Sequence, residues 1–362
     1  MSPVVASLLP MRGLYATIGE QAGAAIRLAL GDRAELRVVD DSSGEYGSWD
    51  VEHSRANCEA IAADSDVVAV IGPFNSGAAI EGLPLLRGAG LAVVSPSNTY
   101  APLTLEAPAF AGDGTERYAV GGAYARVVPN DLIQGAALGL LARERDLGRI
   151  AIWHDGEPYG RAVACGLERA APLLGLELAA STTWEEPPAE AEALVLAGAS
   201  ERGDPDLAAL VTSLGGRTIL ASDAFWDGSP GGPFAAVVPG VEPGHLPPRG
   251  ERFADELADR LGIDRGEIDR YAVPAAQAAQ ACEVVLDAIS RSDGTRAGVA
   301  DAVLATRVED GLLGTFAFDE RGEPVSDGAA VTGFTVYETS GDRFERRGTV
   351  VPPGHLADAV RV

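Results

Sequence analysis

Residues 64–104 read DSDVVAVIGPFNSGAAIEGLPLLRGAGLAVVSPSNTYAPLT. Two unbroken apolar runs, 67–71 and 91–94, flank a segment, 77–88, whose apolar residues recur at helical spacing. A short run without polar alternation suits a strand buried on both faces. With a 3.6-residue period between two such runs, the stretch predicts a strand–helix–strand unit of a buried parallel sheet. Each run ends in turn-forming residues: Gly72-Pro73-Phe74-Asn75-Ser76-Gly77 after the first, Ser95-Pro96-Ser97-Asn98-Thr99-Tyr100 after the second.

The same alternation extends in both directions. Upstream, apolar runs at 4–9 and 36–39 alternate with helical segments at 20–30 and 53–64. Downstream the series starts over near residue 125, with runs at 150–153, 176–180, 194–197 and 218–221 and helices near 131–145, 160–174 and 205–214. A restart predicts an α/β fold of two doubly wound lobes rather than one large sheet. Pro239, Gly240, Pro243, Gly244, Pro247, Pro248 and Gly250 then mark an exposed loop or crossing. Helical segments at 251–261 and 270–291 and a polar, strand-like ending at 316–344 supply no third core and complete the two lobes.

Composition narrows the function classes. At about 150 residues per domain, 362 residues make roughly two domains. With 46% hydrophobic and 22% charged residues the chain is an ordinary globular one, and no apolar run approaches the ~18 residues that span a bilayer. A formal charge of −25 argues against nucleic acid as a partner, because phosphate backbones need clustered cations. All 28 basic residues are arginine, which removes Schiff-base, Walker-type and general-base lysines; a GC-rich genome accounts for the bias as well. His53, His154, His245 and His355 show no metal-ligand spacing, so zinc chemistry and a bound metal are not expected. Cys58, Cys165 and Cys282 are scattered through alanine-rich stretches and read as free, buried thiols. Met1-Ser2-Pro3 runs straight into the first apolar run without a basic region, leaving two readings: a cytosolic chain, or one whose export segment has been removed.

In an open α/β sheet, ligands bind beyond the carboxyl ends of the strands. Ser76 and the bare backbone of its turn suit a carboxylate, although a serine there also serves as an ordinary helix cap. In the second series, Asp223 at a strand's carboxyl end, followed by Phe225 and Trp226, is a place where a cation can be paired and its stem covered. His154 has no serine or cysteine in a nucleophile elbow beside it, and the chain lacks G-x-S-x-G, G-x-G-x-x-G and Walker A patterns. No catalytic residue is assigned and the chain is not expected to be an enzyme.

Taken together with 64–104, four further stretches carry a resemblance: LPMRGLYATIGEQAGAAIRLAL (9–30), YARVVPNDLIQGAALGLLA (124–142), RIAIWHDGEPYGRAVACGL (149–167) and GLLGTFAFDERGEP (311–324). In this order they resemble the extracellular solute-binding proteins of ABC transporters of the branched-chain amino acid (leucine/isoleucine/valine-binding) type. The resemblance runs over roughly 4–340. It implies the type I periplasmic-binding-protein fold, with three hinge crossings near 122–128, 238–250 and 322–334. The lobes would be 1–124 with 249–328, and 125–248 with 329–362, with the ligand cleft between them.

It also implies a site. Ser76, Thr99 and backbone N–H groups of both first-lobe turns would meet a ligand α-carboxylate. The Ser97 carbonyl and the Asp223 carboxylate would meet its α-ammonium, and Tyr159 would reach in from the second lobe. Phe74, Asn75, Tyr15, Tyr100, Phe225 and Trp226 would shape the side-chain pocket, which lacks the family's aromatic after 194–197, where this chain reads Ala197-Gly198-Ala199-Ser200. The implied partners are a small amino-acid-like ligand and an ABC permease, for an extracytoplasmic monomer that works without a cofactor. Two alternatives stand beside it: a ligand-sensing domain of a regulator, and a ligand that is an aromatic or aliphatic acid.

Overall fold

Val4–Leu9 and Val67–Ile71 are buried at every residue and pair in parallel, so their valine, isoleucine and leucine runs meet protein on both faces. The computed structural model describes residues 2–43, 49–105, 122–185, 190–198, 217–225, 233–241, 244–326, 328–340 and 343–361. The chain opens with β1 (Val4–Leu9), α1 (Ala16–Leu30), β2 (Glu35–Asp40), α2 (Val51–Ala63), β3 (Val67–Ile71), α3 (Ser76–Gly88), β4 (Ala92–Ser95) and β5 (Tyr124–Arg126). There follow α4 (Asp131–Glu144), β6 (Arg149–His154), α5 (Pro158–Leu174), β7 (Glu177–Thr183), β8 (Ala193–Ala197), β9 (Thr218–Ala221) and β10 (Ala235–Pro239). The remainder runs α6 (Pro248–Leu261), α7 (Arg265–Arg291), α8 (Arg296–Val303), β11 (Arg307–Gly311), β12 (Gly314–Phe318), β13 (Pro324–Val325), α9 (Ala329–Thr332), β14 (Phe334–Ser340), β15 (Arg343–Val350) and α10 (Gly354–Arg361).

These elements divide into two compact units, Met1–Val128 with Val241–Thr332, and Pro129–Gly240 with Gly333–Val362. The first unit carries a parallel sheet in the order β2-β1-β3-β4-β5, and β11, β12 and β13 form a small antiparallel sheet. α1 packs against α7 through small side chains, among them Ala22, Ala25 and Ala29 against Ala275, Ala278 and Ala279. Arg296, at the start of α8, donates to Val67 O at 2.8 Å and Ala62 O at 2.9 Å and also bonds Asp64 O. One guanidinium thereby occupies carbonyls that the end of α2 leaves open.

The second unit repeats the order, β7-β6-β8-β9-β10 in parallel, and β14 and β15 extend it antiparallel. The connection passes from β1 to β2 on one side and to β3 on the other, and likewise from β6 to β7 and to β8. That reversal is the switch point where ligands settle in doubly wound sheets. α4 and α5 cross closely because of glycine: a Cβ on Gly135 would overlap the Val163 carbonyl, and one on Gly166 the Leu132 carbonyl. On the other face of the sheet, the rings of Trp153 and Trp184 lie 6.2 Å apart and those of Trp184 and Phe225 lie 6.1 Å apart.

Several elements depart from the sequence reading. The ending at 316–344 divides between the small β11–β13 sheet, a short helix and strands β14 and β15 at the edge of the second unit's sheet, rather than forming one strand-like tail, and β10, α8 and α10 were not anticipated. β10 sits where the Pro/Gly loop was expected to begin and is placed by its partners β9 and β14. The expected helix at 205–214 lies outside the described residues. Cys58, Cys165 and Cys282 are free and buried.

Beyond the end of β2, Asp41 is 1% exposed, takes a hydrogen bond from Ser54, and lies near Asn57, His53 and Asp40. Burial lifts its carboxyl from the ordinary 3.8 to about 6. The folded state thus holds a proton that the unfolded chain releases, so this contribution to stability is largest below the unfolded value and is lost as pH rises through about 6. Two units correspond to about 3 kcal/mol. Urea midpoints measured from pH 4 to pH 7.5 should therefore fall less steeply in Asp41→Asn than in the unaltered protein; parallel curves would remove Asp41 as the cause.

Candidate functional site

In the first unit two strand-to-helix turns lock onto each other. β3 is followed directly by Gly72, whose φ of 119° is left-handed and whose added Cβ would come 2.7 Å from Leu8 O, so only glycine fits. Gly72 N donates to Val94 O at 3.1 Å, which ties the turn to β4. The second turn is stitched to the first by side chains. Ser97 Oγ donates to Phe74 O at 2.7 Å, and the fully buried Asn98 donates its amide to Pro73 O at 2.8 Å and Phe74 O at 3.0 Å. Ser95 Oγ in turn accepts from the N–H groups of Ser97 and Asn98.

Ser76 is not the cap of α3. Asn75 takes that place, with no capping bond from its side chain, and Ser76 is the first helical residue. Its Oγ instead accepts from the backbone N–H groups of Thr99 at 3.2 Å and Tyr100 at 3.3 Å. Those N–H groups, expected to face a carboxylate, are thus bonded within the protein. Among the described residues, neither the Ser76 nor the Thr99 hydroxyl has an acceptor for its own proton, so both remain able to donate to an anion. Phe74 is half-buried against the core, Tyr100 is fully buried, and Tyr15 precedes the first residue of α1, on the turn after β1.

In the second unit Asp223 opens a single 3₁₀ turn immediately after β9. Gln134, fully buried in the first turn of α4, donates its amide to Asp223 Oδ1 at 2.7 Å and to Val237 O at 2.9 Å. The hydroxyl of Tyr159, near the start of α5, bonds the same Asp223 oxygen and lies 3.1 Å from Gln134 Oε1. Sequence reasoning singled out Tyr159 and Asp223 and missed Gln134, which sits within the quoted NDLIQG stretch but has no local signal of its own. Burial raises the Asp223 carboxyl above its ordinary range; burial first, and then the Asp223 charge, drives the Tyr159 hydroxyl up. The tyrosine therefore keeps its proton, while burial disfavours the charged form of the half-buried Asp223 carboxyl.

The neighbouring turn serves structure. His154 Nδ1 accepts from Gly156 N at 3.1 Å, and burial keeps this imidazole more readily neutral than usual. Asp155 Oδ1 accepts from Glu157 N at 2.9 Å, and a Cβ on either Gly160 or Gly198 would overlap the Asp155 carboxylate. Among the described residues no cluster of three metal-ligating side chains occurs. Trp226 lies outside the described residues, as do Ala199 and Ser200.

Each unit thus carries its own set of candidate groups: the Ser76 and Thr99 hydroxyls in the first, and the Asp223–Tyr159–Gln134 cluster in the second. No protein-family profile matches the chain, and no curated protein matches it in sequence. Solved structures do. The leucine-binding protein of Thermotoga maritima is 19% identical with a TM-score of 0.73, over 97% of this chain and 99% of its own. The branched-chain amino acid transporter substrate-binding protein of Streptococcus pneumoniae, in complex with isoleucine, is 16% identical with a TM-score of 0.73, over 97% and 100%. A solute-binding protein of an ABC transporter from R. palustris, in complex with benzoate, is 16% identical with a TM-score of 0.72, over 97% of each chain. Along essentially its whole length, this chain has the fold of the type I solute-binding proteins of ABC transporters.

Proposed function

We propose that the chain is the extracytoplasmic solute-binding component of an ABC transporter, taking a small α-amino acid by closure of its two lobes, as a monomer that delivers to a membrane permease. The chemistry is recognition without bond making. The observation that carries the reading is the charge pattern. Unit one offers neutral donors, which suit a ligand carboxylate that need not be neutralised. Unit two offers one half-buried carboxylate, Asp223, already oriented by Tyr159 and Gln134 and suited to an ammonium. A zwitterion matches both sets. No described helix is long and apolar enough to cross a membrane, in keeping with an aqueous receptor.

A second ligand class has its own support. The raised pKa of Asp223 makes a neutral carboxyl easier to reach there, and a neutral Asp223 tolerates an acid without an amine; the R. palustris neighbour holds benzoate. Calorimetric titration with L-leucine, L-isoleucine and benzoate separates the two. Tight binding of an amino acid alone supports the leading reading, benzoate alone supports the second, and failure of a broader amino-acid and aromatic-acid thermal-shift screen overturns both. A ligand at a hundred times its Kd adds about 2.7 kcal/mol of stability, enough to register.

A further inference from the structure

Arg126, on β5, is completely buried together with Glu323, the two side chains being 0% exposed, with Nε 2.8 Å from Oε1. One terminal nitrogen donates to the carbonyls of Asn98 and Tyr100, both at 3.0 Å. The other bonds the Thr104 hydroxyl, which passes its own proton to Glu323 Oε1 at 2.5 Å. The ring of Tyr124 lies beneath the guanidinium, 5.8 Å from its centre. Glu323 is held by its own turn, its N–H donating to Asp319 Oδ1 at 2.9 Å.

Burying such a pair is costly, and an edge strand needing only to be covered is served as well by apolar residues. What the guanidinium supplies here is donors for backbone carbonyls that no sheet ladder can reach. The two carbonyls it holds are those on either side of Thr99, while the N–H groups of Thr99 and Tyr100 donate to Ser76. We propose that Arg126, bridged through Thr104 to Glu323, is a positioning residue that holds the 97–100 loop so that the Thr99 and Ser76 hydroxyls present their protons to a ligand carboxylate. The proposal rests on the reading of those two hydroxyls as ligand donors.

Thr104→Val is the mild probe, since it keeps volume and shape while removing the hydroxyl that links Arg126 to Glu323; Thr104→Ser keeps the hydroxyl. Hydrogen exchange is followed in the full chain on a peptide spanning 96–104 and on peptides from β1 and β3, alongside titration with L-leucine and benzoate. In Thr104→Val the 97–100 amides should exchange at least tenfold faster while β1 and β3 are unchanged. Affinity for whichever probe the unaltered protein binds should fall fivefold or more. Thr104→Ser should restore both. Unaltered exchange in the loop overturns the proposal; so does uniform acceleration across the unit, the mark of a merely structural role, and so does a loosened loop with full affinity. If the unaltered protein binds neither probe nor any compound of the broader screen, it is the functional reading that fails, and the exchange comparison still decides whether the Arg126 network holds the loop.

Discussion

Asp223→Asn is expected to weaken α-amino acid binding by about thirtyfold to several thousandfold, because removing one member of a desolvated charge pair costs about 2–5 kcal/mol. Asparagine retains an oxygen for the bonds from Tyr159 and Gln134, so the loss reports charge rather than a collapsed turn. Asp223→Ala should lose at least as much. Its fold survives, since Tyr159 still has Gln134 Oε1 at 3.1 Å and Gln134 still has Val237 O at 2.9 Å. The desamino analogue of the same ligand should bind both variants as well as or better than the unaltered protein, having lost a repelling carboxylate. The ammonium reading also sets the sign of a pH dependence. Pairing needs ionised Asp223, whose pKa burial raises, so affinity falls on acidification at a higher pH than for an exposed carboxylate. Asp223→Asn should abolish that fall. Isothermal titration of the matched ligand pair supplies every arm, and equal amino-acid affinity of Asp223→Asn and the unaltered protein would sink the assignment.

The second large effect is on stability. Arg126→Leu leaves Glu323 buried without its cation and strips donors from the carbonyls of Asn98 and Tyr100, a class of change that costs about 3–5 kcal/mol. Replacing Glu323 by leucine as well should return much of this, because two apolar side chains face no desolvation penalty. The part not returned measures the loop carbonyls. A double-mutant cycle on urea-unfolding free energies yields the coupling. A single substitution costing less than about 1 kcal/mol, the scale of an exposed ion pair, would show that the pair is not buried as described.

The strand–helix alternation was legible because periodicity is local: the runs at 4–9 and 67–71 must be apolar throughout if both faces are covered, and they are strands at those residues. The turns that follow β3, β4, β6 and β9 were legible for the same reason, since glycine, proline, serine and asparagine mark the places where a strand yields to a helix. β10 was not, because its length and pairing are decided by neighbours far away in the chain. Nor was the part played by each site residue. Ser76 looks like a helix cap in its own turn and becomes a bridge to Thr99 only when β3 and β4 lie side by side. Gln134 meets Asp223 across 89 residues, and Thr104 meets Glu323 across 219. The amino-acid sequence by itself determined the alternating strands and helices of the two lobes and the turns after β3, β4, β6 and β9, since propensity and burial pattern act over a few residues. The tertiary structure alone decided which polar groups complete one another, since a buried donor finds its acceptor through sheet order, and sheet order brings together residues that share no local pattern.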